Sequence, residues 1–285
     1  MDAAAYIRRV MRPMRPLPTG LAPHLPRLEG IAAVVFDIYG TLIISAQGDI
    51  GGAETESGDG IAALGDELGV GAAGLDERLQ NTIKKHHETA RRRGIAFPEV
   101  EIREVWAEVL ASLGRPPADE ASLEEIALRY ECGKNPVARM PGAARLIETL
   151  RRSGRRLGII SNAQFYTEGV VEGLFGATFA GLGFDPALQV YSWREREGKP
   201  SRRLYAILAE RAARLGIPPE SIFYLGNDMT KDVLPARETG FRTGLFAGDA
   251  RSLRLGGFQP EEIPTTADAV ITDLAQVPSL FHIPV

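Results

Sequence analysis

Ile31 to Phe36 (IAAVVF) is an unbroken apolar run that stops at Asp37. A run this short and this rich in β-branched residues, with no polar position to meet water, fits a strand covered on both faces, as in a parallel sheet. The chain beyond Pro136 repeats the theme. Leu157–Ile160, Leu188–Tyr191, Ile222–Leu225, Thr243–Phe246 and Ala269–Ile271 are strand candidates. Helical stretches separate them: Pro141 to Gly154, Phe165 to Phe175, Ser201 to Gly216, and one closing at Gly240. Strands alternating with helices imply right-handed crossovers and a sheet with helices on both faces. The spacing predicts an α/β fold with a Rossmann-like parallel-sheet core.

The middle of the chain lacks this alternation. Ser45 to Gly60 is rich in Gly, Ser and acidic residues and reads as a flexible connection or hairpin tip. Helices follow. Leu75–Arg93 closes on Gly94 behind Arg91, Arg92 and Arg93, a basic last turn with a glycine stop. Val100–Leu113 repeats Val105, Trp106, Val109 and Leu110 with helical period, and Ser122–Cys132 opens on a capping box of Ser122 and Glu125. No strand is expected between 45 and 135. The chain therefore divides into an arm (1–30), an α/β core (31–44 with 136–285) and an inserted helical module (45–135).

The arm holds no acidic residue from Ala3 to Leu28, carries Arg8, Arg9, Arg12, Arg15 and Arg27, and is broken by Pro13, Pro16, Pro18, Pro23 and Pro26. It is expected to lie on the surface or to be disordered, with packing on a partner subunit as the alternative. The last residues, with Pro278 and Pro284, read as a tail. Composition removes several function classes. A net charge of −4 offers no electrostatic case for nucleic acid. No stretch is apolar for long enough to span a bilayer, so no membrane role is expected. The arm has neither the apolar stretch of a signal peptide nor the serines of a transit peptide. The single cysteine, Cys132, cannot form an internal disulfide, which suits a reducing cytoplasm.

In open parallel sheets ligands bind beyond the carboxyl ends of the strands. Asp37 follows the first run, Ser161 and Asn162 follow LGII, Asn227 and Asp228 follow IFYLG, and Lys199 precedes a later helix. Singly, each is an ordinary cap or turn residue. Together they bring carboxylates, a lysine and small hydroxyls to one edge, the outline of an anion and metal site.

The order of these residues resembles the haloacid dehalogenase superfamily. Phe36-Asp37-Ile38-Tyr39-Gly40-Thr41-Leu42 is similar to its first motif, Ser161 to the second, Lys199 in Gly198-Lys199-Pro200 to the third, and Gly226-Asn227-Asp228-Met229-Thr230-Lys231-Asp232 to the fourth. The resemblance implies a hydrolase with Asp37 as nucleophile and a helical cap between the first two motifs. It implies Mg²⁺ held by the Asp37 carboxylate, the Tyr39 carbonyl and Asp228, with Asn162, Asn227 and Asp232 orienting them. It gives Thr41 and Ser161 hydrogen bonds to phosphoryl oxygens and sets Lys199 against the charge of nucleophile and substrate. The substrate it implies is a small anionic molecule, foremost a phosphomonoester cleaved through an aspartyl phosphate.

Two departures keep other readings open. Phosphatases of this family carry an acid/base aspartate two residues after the nucleophile; here Tyr39 stands there. The DxYGTL pattern resembles the 2-haloacid dehalogenases, whose aspartate attacks carbon without a metal. A phospho-ligand binder with little turnover is the third reading. Asp228 and Asp232 argue for Mg²⁺, because without a cation such crowding raises a carboxylate pKa. In the helical module Lys84 and Lys85 read as solvated, His86 and His87 as facing different sides, and Trp106, Trp193 and Tyr191 as packing. Arg91 to Arg93 form a solvated helix end from which one arginine can meet an anionic substrate.

Overall fold

The computed structural model describes residues 1–47, 59–116 and 119–283. In chain order its elements are helix α1 (Ala3–Val10), strands β1 (Ala33–Phe36) and β2 (Ile43–Ser45), helices α2 (Asp59–Leu68), α3 (Gly71–Arg92), α4 (Ile102–Ser112) and α5 (Glu120–Lys134), and strand β3 (Val137–Arg139). Then come α6 (Ala143–Arg152), β4 (Arg156–Ser161), α7 (Thr167–Phe175), β5 (Phe184–Tyr191), α8 (Ser192–Glu195), α9 (Arg202–Ala213), β6 (Ile222–Gly226), α10 (Leu234–Glu238), β7 (Arg242–Phe246), α11 (Ile263–Thr266), β8 (Ala269–Ile271) and α12 (Val277–Leu280).

Six strands form one parallel sheet in the order β5-β4-β1-β6-β7-β8. Central β1 is buried along its whole length, as its unbroken apolar run requires. Its residues alternate between two cores: Val34 and Phe36 pack with the α6 and α7 side, Ala33 and Val35 with Leu204, Tyr205 and Leu208 of α9. α6 buries Ala143, Leu146, Ile147 and Leu150, the spacing of one helical face. Strand β5 begins four residues earlier than the sequence predicts. It is an edge strand, where polar Asp185 and exposed Pro186 are tolerated.

Helices α2 to α5 pack on one another, and their buried side chains, Leu75, Val105, Trp106 and Leu128 among them, belong to the same continuous apolar cluster as Phe36 and Ile159. The start of α5 differs from expectation. Asp119, not Ser122, caps it: Asp119 Oδ1 accepts from the Ser122 N–H (2.9 Å) and hydroxyl (2.7 Å). An Asp three residues upstream offers a carboxylate where Ser122 has only a hydroxyl. Strand is also present where none is expected. Ser45 closes β2, which pairs antiparallel with β3, so both chain crossings between sheet and helices run side by side. The remainder of the expected flexible connection, 48–58, lies outside the described residues.

Neither end is loose. α1 packs on α7 with Ile7 fully buried, and a Cβ on Gly173 would come within 2.6 Å of the Ile7 side chain, so the helices touch where α7 has no side chain. Asp2 caps α1 by accepting from Ala5 N–H (3.1 Å). Beyond the prolines, His24 exchanges backbone hydrogen bonds with Val270 of β8 (both 2.9 Å), and Leu28 N–H donates to Leu280 (2.8 Å). The expected C-terminal tail buries Val277, Leu280 and Phe281; Pro284 lies outside the described residues. Proline and arginine counts hide the arm's buried apolar residues, Ala4 and Ile7, which seat α1 on the core. Ile7→Ala is expected to cost about 2–4 kcal/mol in urea denaturation; a loss below about 0.5 kcal/mol would show that the arm contributes nothing to the fold.

Candidate active site

β1, β4 and β6 run in register, with Phe36 level with Ile159 and Leu225; β6 runs one residue further and β4 two. This register brings Asp37, Ser161 and Asn227 to one edge. The turn after Asp37 needs Gly40, whose φ is +81° and whose absent Cβ would lie 2.5 Å from Ser252.

The site is organised around Lys199, which is buried. Its ammonium reaches Asp37 Oδ1 (2.9 Å) and Asp232 Oδ1 (2.6 Å). Asp232 is saturated: Oδ1 also accepts from the Tyr224 hydroxyl (2.8 Å), and Oδ2 from the backbone N–H groups of Asn227 and Asp228 (3.0 Å each). Burial works against the Lys199 charge, but Asp232 and Asp37 outweigh it and hold the ammonium above the ordinary lysine value. Burial pushes the Asp37 carboxyl up to about 6, against the pull of Lys199, with Asp232 adding to the rise. Asp228 caps the turn at Met229–Val233, Oδ1 accepting from Thr230 N–H (2.7 Å), the Thr230 hydroxyl (2.8 Å) and Lys231 N–H (2.9 Å).

Ser161 donates to Asp37 Oδ1 (2.7 Å) and Thr41 to Asn227 Oδ1 (3.2 Å), so in this structure each orients a neighbouring site residue. Asn162 Oδ1 accepts from Lys199 N–H (2.7 Å) and anchors the turn that carries the lysine. Tyr39 is buried; its hydroxyl shares a hydrogen bond of 3.0 Å with Thr167. Burial, then Glu131, raises its pKa, so the hydroxyl keeps its proton.

Asp37, Tyr39, Asn162, Lys199, Asn227, Asp228 and Asp232 wall one void of about 20 Å³, together with Lys231 and Arg254. That is room for about one water or small ion. Arg254 escapes a reading of the sequence because its loop follows β7 and is brought in by backbone pairing: Arg254 N–H donates to Asn227 (3.0 Å) and Met229 N–H to Arg254 (2.9 Å). The rule that ligands meet strand ends could have pointed to the loop after Phe246. Tyr224 is invisible for another reason, lying inside an apolar strand run.

A second cavity, of about 510 Å³, opens between α3, α4, α5 and the sheet edge, and shares Asn162, Lys199 and Lys231 with the first. Its size is that of a small-molecule site. Trp106, Tyr130 and Ile83 give it an apolar wall; its polar lining includes Lys84, His87, Arg91, Glu99, Glu131 and Lys134. Lys85 and His86 point away, both held by Glu108 (2.5 and 3.1 Å). The Trp106 indole N–H is buried without a hydrogen-bond partner among the described residues, a loss of about 1–3 kcal/mol. Among the described residues no three His, Cys, Asp or Glu side chains are arranged to hold a metal, and no helix is long and apolar enough to cross a membrane.

Because the folded-state pKa of Asp37 lies above the ordinary 3.8, its buried charge destabilises the fold; the cost is full above about pH 6 and vanishes below about pH 4. In chelator-treated protein, Asp37→Asn is expected to exceed wild type in stability at about pH 7.5 by on the order of 1–3 kcal/mol, the gap closing toward about pH 4. Urea denaturation at the two pH values measures it. Equal stabilities at the higher pH would show that Lys199 and Ser161 fully compensate the charge.

A model of haloacid dehalogenase-like hydrolases matches residues 31–240. An uncharacterized hydrolase of Schizosaccharomyces pombe is 26% identical over 220 residues, 74% of this chain and 88% of its own length. Among solved structures, 2-haloacid dehalogenase of Pseudomonas syringae pv. tomato superposes with a TM-score of 0.56 at 20% identity, over 88% of this chain and 97% of its own. A HAD phosphatase of Thermococcus onnurineus gives 0.52 at 18%, over 88% and 97%. At such identities these two likenesses concern the fold.

Proposed function

The chain belongs to the haloacid dehalogenase-like hydrolases, and we propose that within them it is a Mg²⁺-dependent phosphatase of small phosphomonoesters. One observation carries this reading: Asp37, Tyr39 and Asp228 wall a void with room for about one ion. The donor set fits Mg²⁺, which takes oxygen ligands, needs only one or two carboxylates and keeps several waters. Asp37, Asp228 and the Tyr39 carbonyl would hold it; Asp232, saturated by Lys199, Tyr224 and two N–H groups, has the orienting part. When bound, the ion supplies positive charge that offsets the approach of two anions.

Asp37 attacks phosphorus: one carboxylate oxygen bonds to it as the bond to the alcohol oxygen breaks, splitting the hydrolysis into two steps. Ser161 and Lys199 fix the other oxygen, leaving Asp37 a defined direction of attack. Lys199 stabilises charge on the transferring group. Water then attacks the aspartyl phosphate and releases phosphate. The leaving alcohol takes its proton from solvent, because the Tyr39 hydroxyl is engaged with Thr167 and retains its proton. Tyr39 is also the observation that favours the second reading, metal-free cleavage of a 2-haloacid, in which the leaving halide needs no proton.

Phosphate release from a panel of phosphomonoesters, with and without Mg²⁺, tests the proposal. Metal-dependent release by wild type is expected, with at least about a thousandfold loss in Asp37→Asn. Halide release from 2-haloacids without phosphate release would replace this reading by the second. Tyr39→Asp is expected to raise kcat by about tenfold or more, since a positioned acid/base contributes about 10²–10⁴, and to lower Tm because the tyrosine ring leaves the core. An unchanged kcat in folded variant would show that another group already transfers the proton.

A further inference from the structure

The 510 Å³ cavity is built for more than a phosphate. On α3, Lys84, His87 and Arg91 recur at the spacing of one helical face, and all three line it. Lys84 and Arg91 make no ion pair among the described residues, whereas neighbouring Lys85 is paired with Glu108. His87 Nε2 and Trp106 Nε1 are buried in the same cavity wall without hydrogen-bond partners among the described residues, and Trp106 is wholly shielded from solvent. A fully dry indole donor in a cavity that two unneutralised cations also line is the arrangement a ligand acid group would complete. The opposing carboxylates do not supply that group. Glu131 accepts from Tyr166 (3.1 Å) and Asn135 (3.2 Å), and Glu99 accepts from Ser192 (2.9 Å) and Gln164 (3.3 Å). The cavity meets the Asp37 site through Lys199 and Asn162, so one molecule can span both.

Building on the phosphatase reading, we propose that the α3 face and Trp106 form a second-anion subsite, and that the substrate is a phosphomonoester whose alcohol part has an apolar side and carries its own carboxylate. The phosphate faces Asp37, the apolar part lies against Trp106 and Ile83, and the carboxylate takes the indole N–H and the charges of Lys84 and Arg91.

Two matched probes test this: phenyl phosphate and 4-carboxyphenyl phosphate. Their Kd values on Asp37→Asn, by calorimetry with Mg²⁺, are expected to differ at least about tenfold in favour of the carboxylate, since charge-assisted hydrogen bonds are the strong ones. The double variant Lys84→Gln/Arg91→Gln, made in the Asp37→Asn background, should collapse that ratio toward one, and Trp106→Phe should reduce it. Both α3 positions are exposed, so this variant keeps its fold whatever Trp106→Phe does. Equal affinities for the two probes, or a ratio unchanged in the double variant, would overturn the subsite. Phosphate release from both probes without preference leaves the phosphatase and removes the subsite; carboxylate-dependent binding without release by wild type does the reverse.

Discussion

A buried ammonium between two carboxylates is the constraint on which this molecule turns. Lys199 is the one buried lysine among the described residues, and neither it nor its partners would tolerate burial alone. Asp232 matches it with every acceptor position filled, so that pair is fixed. Asp37 is the third member and the mobile one in charge: burial lifts its carboxyl to about 6, with Asp232 adding to the rise, and the pull of Lys199 only partly offsets it. The imbalance is useful. It leaves negative charge beside a void of ionic size, the charge that a divalent cation would neutralise in the proposed reaction.

How far the sequence revealed this depends on the residue. The β1 run, the order of Asp37, Ser161, Lys199 and Asp228, and the α/β alternation are local patterns, and they were readable because burial on both faces and strand-end chemistry leave marks within a few neighbours. The common edge was expected from them; the strand order β5-β4-β1-β6-β7-β8 was not, because no local pattern says which strands lie side by side. Arg254 and Tyr224 left no mark: one arrives through a loop pairing far along the chain, the other hides in an apolar run. The arm misled for a related reason. Five prolines outvote a two-residue apolar stripe in composition, yet Ile7 against Gly173 decides where the segment goes. Ser122 misled because its sequence signature is valid at a cap, and Asp119 simply presents the better acceptor one turn earlier.

The hydroxyls teach a further point about transferring roles by resemblance. Ser161 and Thr41 occupy the expected positions but spend their donors on Asp37 and Asn227. Their contribution in the described state is to hold Asp37 and Asn227 in place. Tyr39 likewise turns its polar end toward Thr167, anchoring the turn to α7. Preorganisation of this sort reduces the rearrangement needed when substrate arrives.

The paired β2 and β3 strands carry one more consequence. Both passages of the chain between the sheet and helices α2–α5 are zipped together over three residue pairs, Ile43 with Arg139, Ile44 with Ala138, Ser45 with Val137. They therefore flex as a single two-ply strap with one bending axis. The strap begins at the turn after Asp37, for Gly40 N–H donates to Ile43 (2.7 Å) and Met140 N–H to Leu42 (3.0 Å). A tilt of the helices that moves this strap is therefore passed to the backbone around Tyr39 and Gly40, two and three residues from Asp37.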